Sequence, residues 1–273
     1  MSENLKNHLS KIAAAVSYGL VAVIMLISFT LSQVSARVLS DSENPLTRIE
    51  ADYESGAISL DQWAILSATA IRRPDSLPAN YAVKMAKDET MVAPGREATL
   101  ILLEIRKNWN RLSSQTQSVV AQIMVRPGGT FTLDTPGGFF KIHWDTTGAN
   151  AVPGADGSGN GIPDYIDKTA AYLDSTVAKH VALGFLMPPA DGVAGGDSRY
   201  DVYFESMLYY GYAQGESPGP APWDDYTSYL VLHKNYLGFP PNSDPEGDQY
   251  GAMKVTIGHE FHHAVQFGYD IFE

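Results

Sequence analysis

The spacing of apolar and polar positions changes several times along this chain. Residues 12–31, IAAAVSYGLVAVIMLISFTL, form one long uncharged run. From Ser59 the period turns helical. Ser59 and Gln62 make a capping-box start, the apolar positions of WAILSATAI recur at helical spacing, and Arg73 before Pro74 ends the element. Helical patterns follow over about Ala98–Leu112 and Thr116–Met124, and residues 126–129, RPGG, break the series. From Phe131 the pattern alternates. GFFKIHW (138–144), RYDVYF (199–204) and SYLVLH (228–233) read as strands, with helices over about Tyr165–Leu183 and Gly251–Phe267. The Gly-, Pro- and Asp-rich stretches 187–198 and 213–225 read as surface loops. The order strand, helix, strand, strand, helix predicts an α+β fold over 129–273, preceded by a mainly helical region over 37–128. That helical region is either a small structural unit or a propeptide that covers an active site.

The apolar run has the setting of an export signal. Lys6 and Lys11 precede it, and Val34 and Ala36 stand at −3 and −1 of a plausible cleavage point. Residues 1–36 are therefore expected to be a signal peptide, or an anchor if uncleaved, since the run is just long enough to span a bilayer. Contact with a membrane is expected only through this segment, and the rest of the chain is expected outside the cytoplasm, secreted or periplasmic. The chain has 273 residues and a formal charge of −12. Losing residues 1–36, with two lysines and one glutamate, would take it to −13. This balance argues against nucleic acid as a partner. With no cysteine there is no disulfide, thiolate metal site or cysteine nucleophile, so any metal must be held by histidine, carboxylate or carbonyl. Ten of the fifteen tyrosines fall between 200 and 269, which fits strand propensity and half-buried packing.

Residues 259–263, HEFHH, contain the pattern H-E-x-x-H. On a helix, His259 and His263 share one face, so both imidazoles can reach one zinc ion. Glu260 beside them is placed to take a proton from the water that attacks a carbonyl. Random placement of this composition gives ~0.008 such patterns. Met253, Val255, Ile257, Ala264, Val265 and Phe267 are expected to pack the helix. His262 points about 100° from His263 and is expected to face solvent or a neighbouring group rather than the metal. Catalytic zinc usually takes a third protein ligand. The extended pattern with a third histidine fails, because Gln266 and Tyr269 stand where its glycine and last ligand would fall. Asp270 could reach back only if Gly268 broke the helix, and Glu273 is the last residue. The third ligand is expected beyond Glu273, so that 129–273 is the N-terminal part of a catalytic domain.

A second motif lies at 156–167. Oxygen-bearing side chains stand at loop positions 1, 3, 5, 9 and 12, as Asp156, Ser158, Asn160, Asp164 and Asp167. Gly161 takes the sharp turn at position 6, and Ile162 would offer its carbonyl at position 7. This is nearly a calcium loop of the EF-hand type, with Asp replacing Glu at position 12. Pro163 and the lack of a preceding helix argue against a paired EF-hand. The alternative is an Asx-rich turn capping the following helix. A calcium ion here would brace the connection from strand to helix.

HEFHHAVQFGYD (259–270) and GNGIPDYID (159–167) resemble the secreted bacterial zinc metalloproteases of the zincin type, which carry HEFFHAxQ after an NGxPDY loop. RYDVYF (199–204) and SLDQWAILSATAIRRPDSLPANY (59–81) also resemble regions of that family, and the similarity runs from about Leu46. The resemblance implies a zincin-like catalytic domain: a twisted sheet whose edge strand lines the cleft, with a protein or peptide substrate lying along it as an added strand. It implies His259 and His263 as zinc ligands and Glu260 as general base, with a third ligand, a glutamate, on a later helix. The chain thus reads as an exported zinc-dependent endopeptidase cut after its active-site helix, using Zn2+ and a bracing Ca2+. Two other readings stay open: a zinc hydrolase acting on a non-peptide ester or amide, and a non-catalytic, calcium-braced surface module with a vestigial zinc site.

Overall fold

The computed structural model describes residues 36–40, 42–83, 90–92 and 98–272. The signal-like run and Glu273 lie outside the described residues. Residues Ala36–Glu273 form one compact unit. The chain order is β1 (Ala36–Val38), α1 (Pro45–Glu54), α2 (Leu60–Arg72), β2 (Thr90–Val92), α3 (Ala98–Lys107), α4 (Ser114–Ile123), β3 (Phe131–Asp134), β4 (Phe140–Trp144), α5 (Asp164–Ala182), β5 (Tyr200–Glu205), β6 (Gly211–Pro218), β7 (Tyr226–His233) and α6 (Asp248–Phe267). Among the described residues, no helix is long and apolar enough to cross a membrane.

The expected α+β architecture is present. A five-stranded sheet runs β3-β4-β5-β7-β6. Strands β4, β5 and β7 are mutually parallel, and the outer strands β3 and β6 run antiparallel to their neighbours. β1 and β2 form a separate parallel pair. Strands β5 and β7 are buried on both faces, with Asp201, Glu205, Thr227, Ser228 and His233 buried among their apolar residues. Alternation then sorts their side chains. Tyr203, Tyr229 and Val231 face a core built with Leu46, Trp63, Ile71 and Leu102 of the helical region. Val202, Phe204, Leu230 and Leu232 face a second core built with Ile166 and Leu173 of α5 and with Ile257 and Phe261 of α6. The molecule is layered: α1–α4 on one side, the sheet in the middle, α5 and α6 on the other.

Local rules explain most of the elements. The capping box at α2 is complete, with the Gln62 amide donating to the Ser59 hydroxyl at 3.2 Å and the Ser59 amide to the Gln62 side chain at 2.9 Å. α6 buries Met253, Ile257, Phe261 and Ala264 in one stripe. Each large side chain of that stripe contributes roughly 1.5–3 kcal/mol. Val255 departs from the expectation: it is 72% exposed, because two residues from Ile257 is 200° round a helix. The tyrosines are more deeply buried than a half-buried pattern implies, with Tyr203, Tyr212, Tyr229 and Tyr236 under 2% exposed.

One expectation is overturned. The stretch that begins at 213 is not all loop: Gly211–Pro218 is strand β6, paired with β7 from Gly211 to Gly215 and again at Pro218. Glycines and a proline hid it. They are tolerated because β6 is an edge strand, with Pro218 beyond an irregularity in the ladder.

Candidate functional site

Helix α6 carries the H-E-x-x-H residues on its middle turns. His259 is exposed and His263 half-buried. Their Nε2 atoms stand 3.2 Å apart. Ligand nitrogens about 2.0–2.1 Å from a tetrahedral ion lie about 3.3 Å from one another, so this spacing suits two ligands of one zinc. The far side of His263 is also set. Its Nδ1 lies 2.9 Å from the Gln266 side-chain oxygen, one turn on. As donor to that oxygen, Nδ1 carries the proton and Nε2 keeps its lone pair on the His259 side.

Glu260 faces elsewhere. One residue from His259 it is turned about 100° round the helix, under the sheet edge, and is 4% exposed. Its Oε2 accepts the Thr99 hydroxyl at 2.7 Å, and Thr99 Oγ1 accepts the backbone amide of Ala213 on β6 at 2.9 Å. The start of β6 can lie this close to α6 because residue 211 is glycine. A Cβ there would stand 2.8 Å from both the Thr256 methyl and the Val231 carbonyl, and 3.6 Å from Glu260 Cγ. The Glu260 carboxylate is thus wedged between α6 and the edge of β6. That edge is covered by α3, from which Thr99 projects. Arg106, two turns further along α3, donates to the carbonyls of Gly215 and Glu216 at 2.7 and 2.9 Å.

The other residues singled out by sequence fall as follows. His262 is exposed, its Nδ1 3.3 Å from His180 Nε2 on α5, away from the His259–His263 pair. Gly268 does end α6, yet Asp270 caps the amide of Phe272 at 2.7 Å rather than turning back. Among the described residues, no group of three or more His, Asp or Glu side chains could hold an ion. The described residues therefore add no third candidate ligand to the His259–His263 pair.

The loop 156–167 closes on hydrogen bonds of its own. The Asp156 carboxylate accepts the amides of Gly159 at 2.7 Å and Gly161 at 2.9 Å, and the Ser158 hydroxyl at 3.1 Å. These bonds, that from Gly161 first, hold its pKa below the usual carboxylate range. Asp164 accepts the Gly157 amide, the Asn160 side-chain NH2 donates to Asp167, and the Asn160 oxygen accepts the Ile162 amide. The oxygens of a calcium loop are present, but they serve as Asx-turn acceptors. An ion would have to turn the Asn160 amide away from Asp167.

Comparison of the chain with protein-family models, with curated proteins and with solved structures gave no match. The site is therefore read from its own geometry. That geometry adds three residues to the sequence reading. Gln266 could have been read from helical spacing, three residues after His263. Thr99 and Arg106 lie more than a hundred residues from the groups they touch and leave no local signal.

Proposed function

We propose that this chain is an exported zinc-dependent endopeptidase with a zincin-like catalytic domain. The observation that carries the reading is the pair of Nε2 atoms 3.2 Å apart, with Glu260 one residue round the same helix against the edge of the sheet. His259 and His263 hold the metal, and Gln266 orients His263. A bound zinc ion would supply Lewis acidity toward the scissile carbonyl. Glu260 takes the proton of the attacking water and passes it to the leaving amine. The antiparallel edge strand β6 favours an extended peptide over a small ester, because its outward amides and carbonyls would pair with a substrate backbone once Thr99 and Arg106 let go of them. The third ligand would come from residues outside those described. Calcium at 156–167 belongs to the same reading as a brace, remote from the chemistry.

The test is zinc binding followed by casein hydrolysis. One zinc per chain is expected, lost in His259→Ala, with Glu260→Gln retaining zinc but losing hydrolysis. A chain that binds no zinc, or whose His259→Ala variant binds it equally well, ends the metal-centre reading. Hydrolysis that survives Glu260→Gln ends the general-base assignment.

A further inference from the structure

We infer that α3 is a latch: Thr99 and Arg106 hold the outer edge of β6 and the Glu260 carboxylate in a closed state that an extended peptide must displace. The inference rests on the peptidase reading for its purpose but not for its geometry. The Thr99 hydroxyl engages Glu260 at 2.7 Å and takes the Ala213 amide at 2.9 Å. Arg106 occupies the Gly215 and Glu216 carbonyls. These are backbone groups that an added strand would use, so α3 and a bound peptide exclude one another at Ala213 and Gly215. They also include the group that must be available to a water molecule.

The polar contacts run from two α3 side chains to the strand, with no strand ladder between them. Ile101, Leu102 and Ile105 of α3 pack in the core that the helices share with Tyr203, Tyr212, Tyr229 and Val231 of the sheet, so displacement at β6 is expected to be local to Thr99 and Arg106 rather than a release of the whole helix. Between α3 and β6 there remains a cavity of about 460 Å³, lined by residues including Leu102, Ile105, Arg106, Gln214 and Tyr229.

The test uses the full chain with chelator present, so that hydrolysis plays no part. Fluorescein-labelled casein, an unfolded protein, is the probe. Thr99→Val and Arg106→Gln each remove polar contacts of the latch, and each is expected to bind casein at least about five-fold more tightly than wild type. The Ala213 amide is expected to exchange faster in Thr99→Val alone and to be protected again by casein. Equal casein affinity in wild type and both variants, binding by none of them, or tightening without protection of Ala213 overturns the latch. If Thr99→Val does not fold, Arg106→Gln carries the comparison, with the Gly215 amide as the reporter. With zinc restored, variants that bind casein yet never cleave it would leave the latch standing and remove the peptidase reading. A wild type that cleaves as fast as the variants would do the reverse.

Discussion

Gln266 decides which nitrogen of His263 faces His259. Replacing it with Leu removes the acceptor at Nδ1, and such a loss behind a metal-bound histidine typically costs about 10–100-fold in affinity. Gln266→Leu is therefore expected to weaken zinc binding by that order in a competition with a chelating dye, while Gln266→Glu restores it. Unchanged affinity in Gln266→Leu would remove the positioning role. A second histidine acts on stability. His233 is buried, accepts the Tyr236 amide at Nδ1, and is pushed down to about 3 by burial first and Lys234 second. The unfolded chain takes up this proton near pH 6.5, the folded protein only near 3. The folded pKa is the depressed one, so stability is complete above about 6.5 and is lost as pH falls through that window, by up to about 1.4 kcal/mol per pH unit. His233→Asn keeps an acceptor for Tyr236 and should flatten the difference between urea unfolding at pH 7 and pH 5. Equal slopes in the two proteins would reject this. The sequence showed His259, Glu260 and His263 because four-residue helical spacing is local. It showed nothing of Thr99, which meets Glu260 only after the chain has folded through 161 residues of separation.

At the scale of elements, strand β6 is where pattern and structure part. An inner strand announces itself by apolar residues, and β5 and β7 do so. In GYAQGESP the glycines, the proline and the polar residues mask a strand whose first half is buried, and its glycines serve close approach rather than flexibility. Gly211→Val tests this. Its side chain would meet the Val231 carbonyl, which cannot move aside cheaply, so a loss of roughly 1–3 kcal/mol in urea unfolding is expected, together with weaker zinc-dependent hydrolysis as β6 is pushed from Glu260. Full stability in Gly211→Val would mean that β6 does not lie against α6 this closely. The 156–167 loop shows the opposite relation: its motif was plain in the sequence, but one set of oxygens serves both an Asx-turn network and a calcium cage. The positive φ of 84° at Gly161 suits both. Thermal unfolding separates them. A calcium brace predicts a midpoint several degrees higher with calcium than with chelator, and loss of that difference in Asp156→Ala. Identical midpoints in wild type would leave the loop as a turn alone.

At the scale of the whole molecule, the helical layer and the sheet are joined through Arg126, at the junction between α4 and β3. Its guanidinium, 14% exposed, pairs with Asp191 in a loop, Asp201 on β5 and Glu216 on β6, and lies over the Tyr229 ring at 4.9 Å. Asp201 also holds the His143 ring at 2.6 Å. Burial disfavours the charge on Arg126, but Glu216 and the other partners outweigh it and raise its pKa. Glu216 thus receives Arg126 on its side chain and Arg106 on its carbonyl, so release of the latch would leave the far end of β6 tied to the helical layer. Arg126→Met would strand three carboxylates around an apolar side chain. A cost of about 3–5 kcal/mol in urea unfolding at pH 7 is expected, because removing one partner of a buried ion group leaves uncompensated charge. Burial already holds the Asp191 carboxyl above the usual carboxylate range. The penalty should therefore be largest at neutral pH and shrink as pH falls and Asp191 takes up its proton. Arg126→Lys, with a point charge that cannot reach three acids at once, should fall between. A loss under about 1 kcal/mol, or one of equal size at pH 7 and pH 4.5, would show that the helical layer is held by its apolar contacts alone.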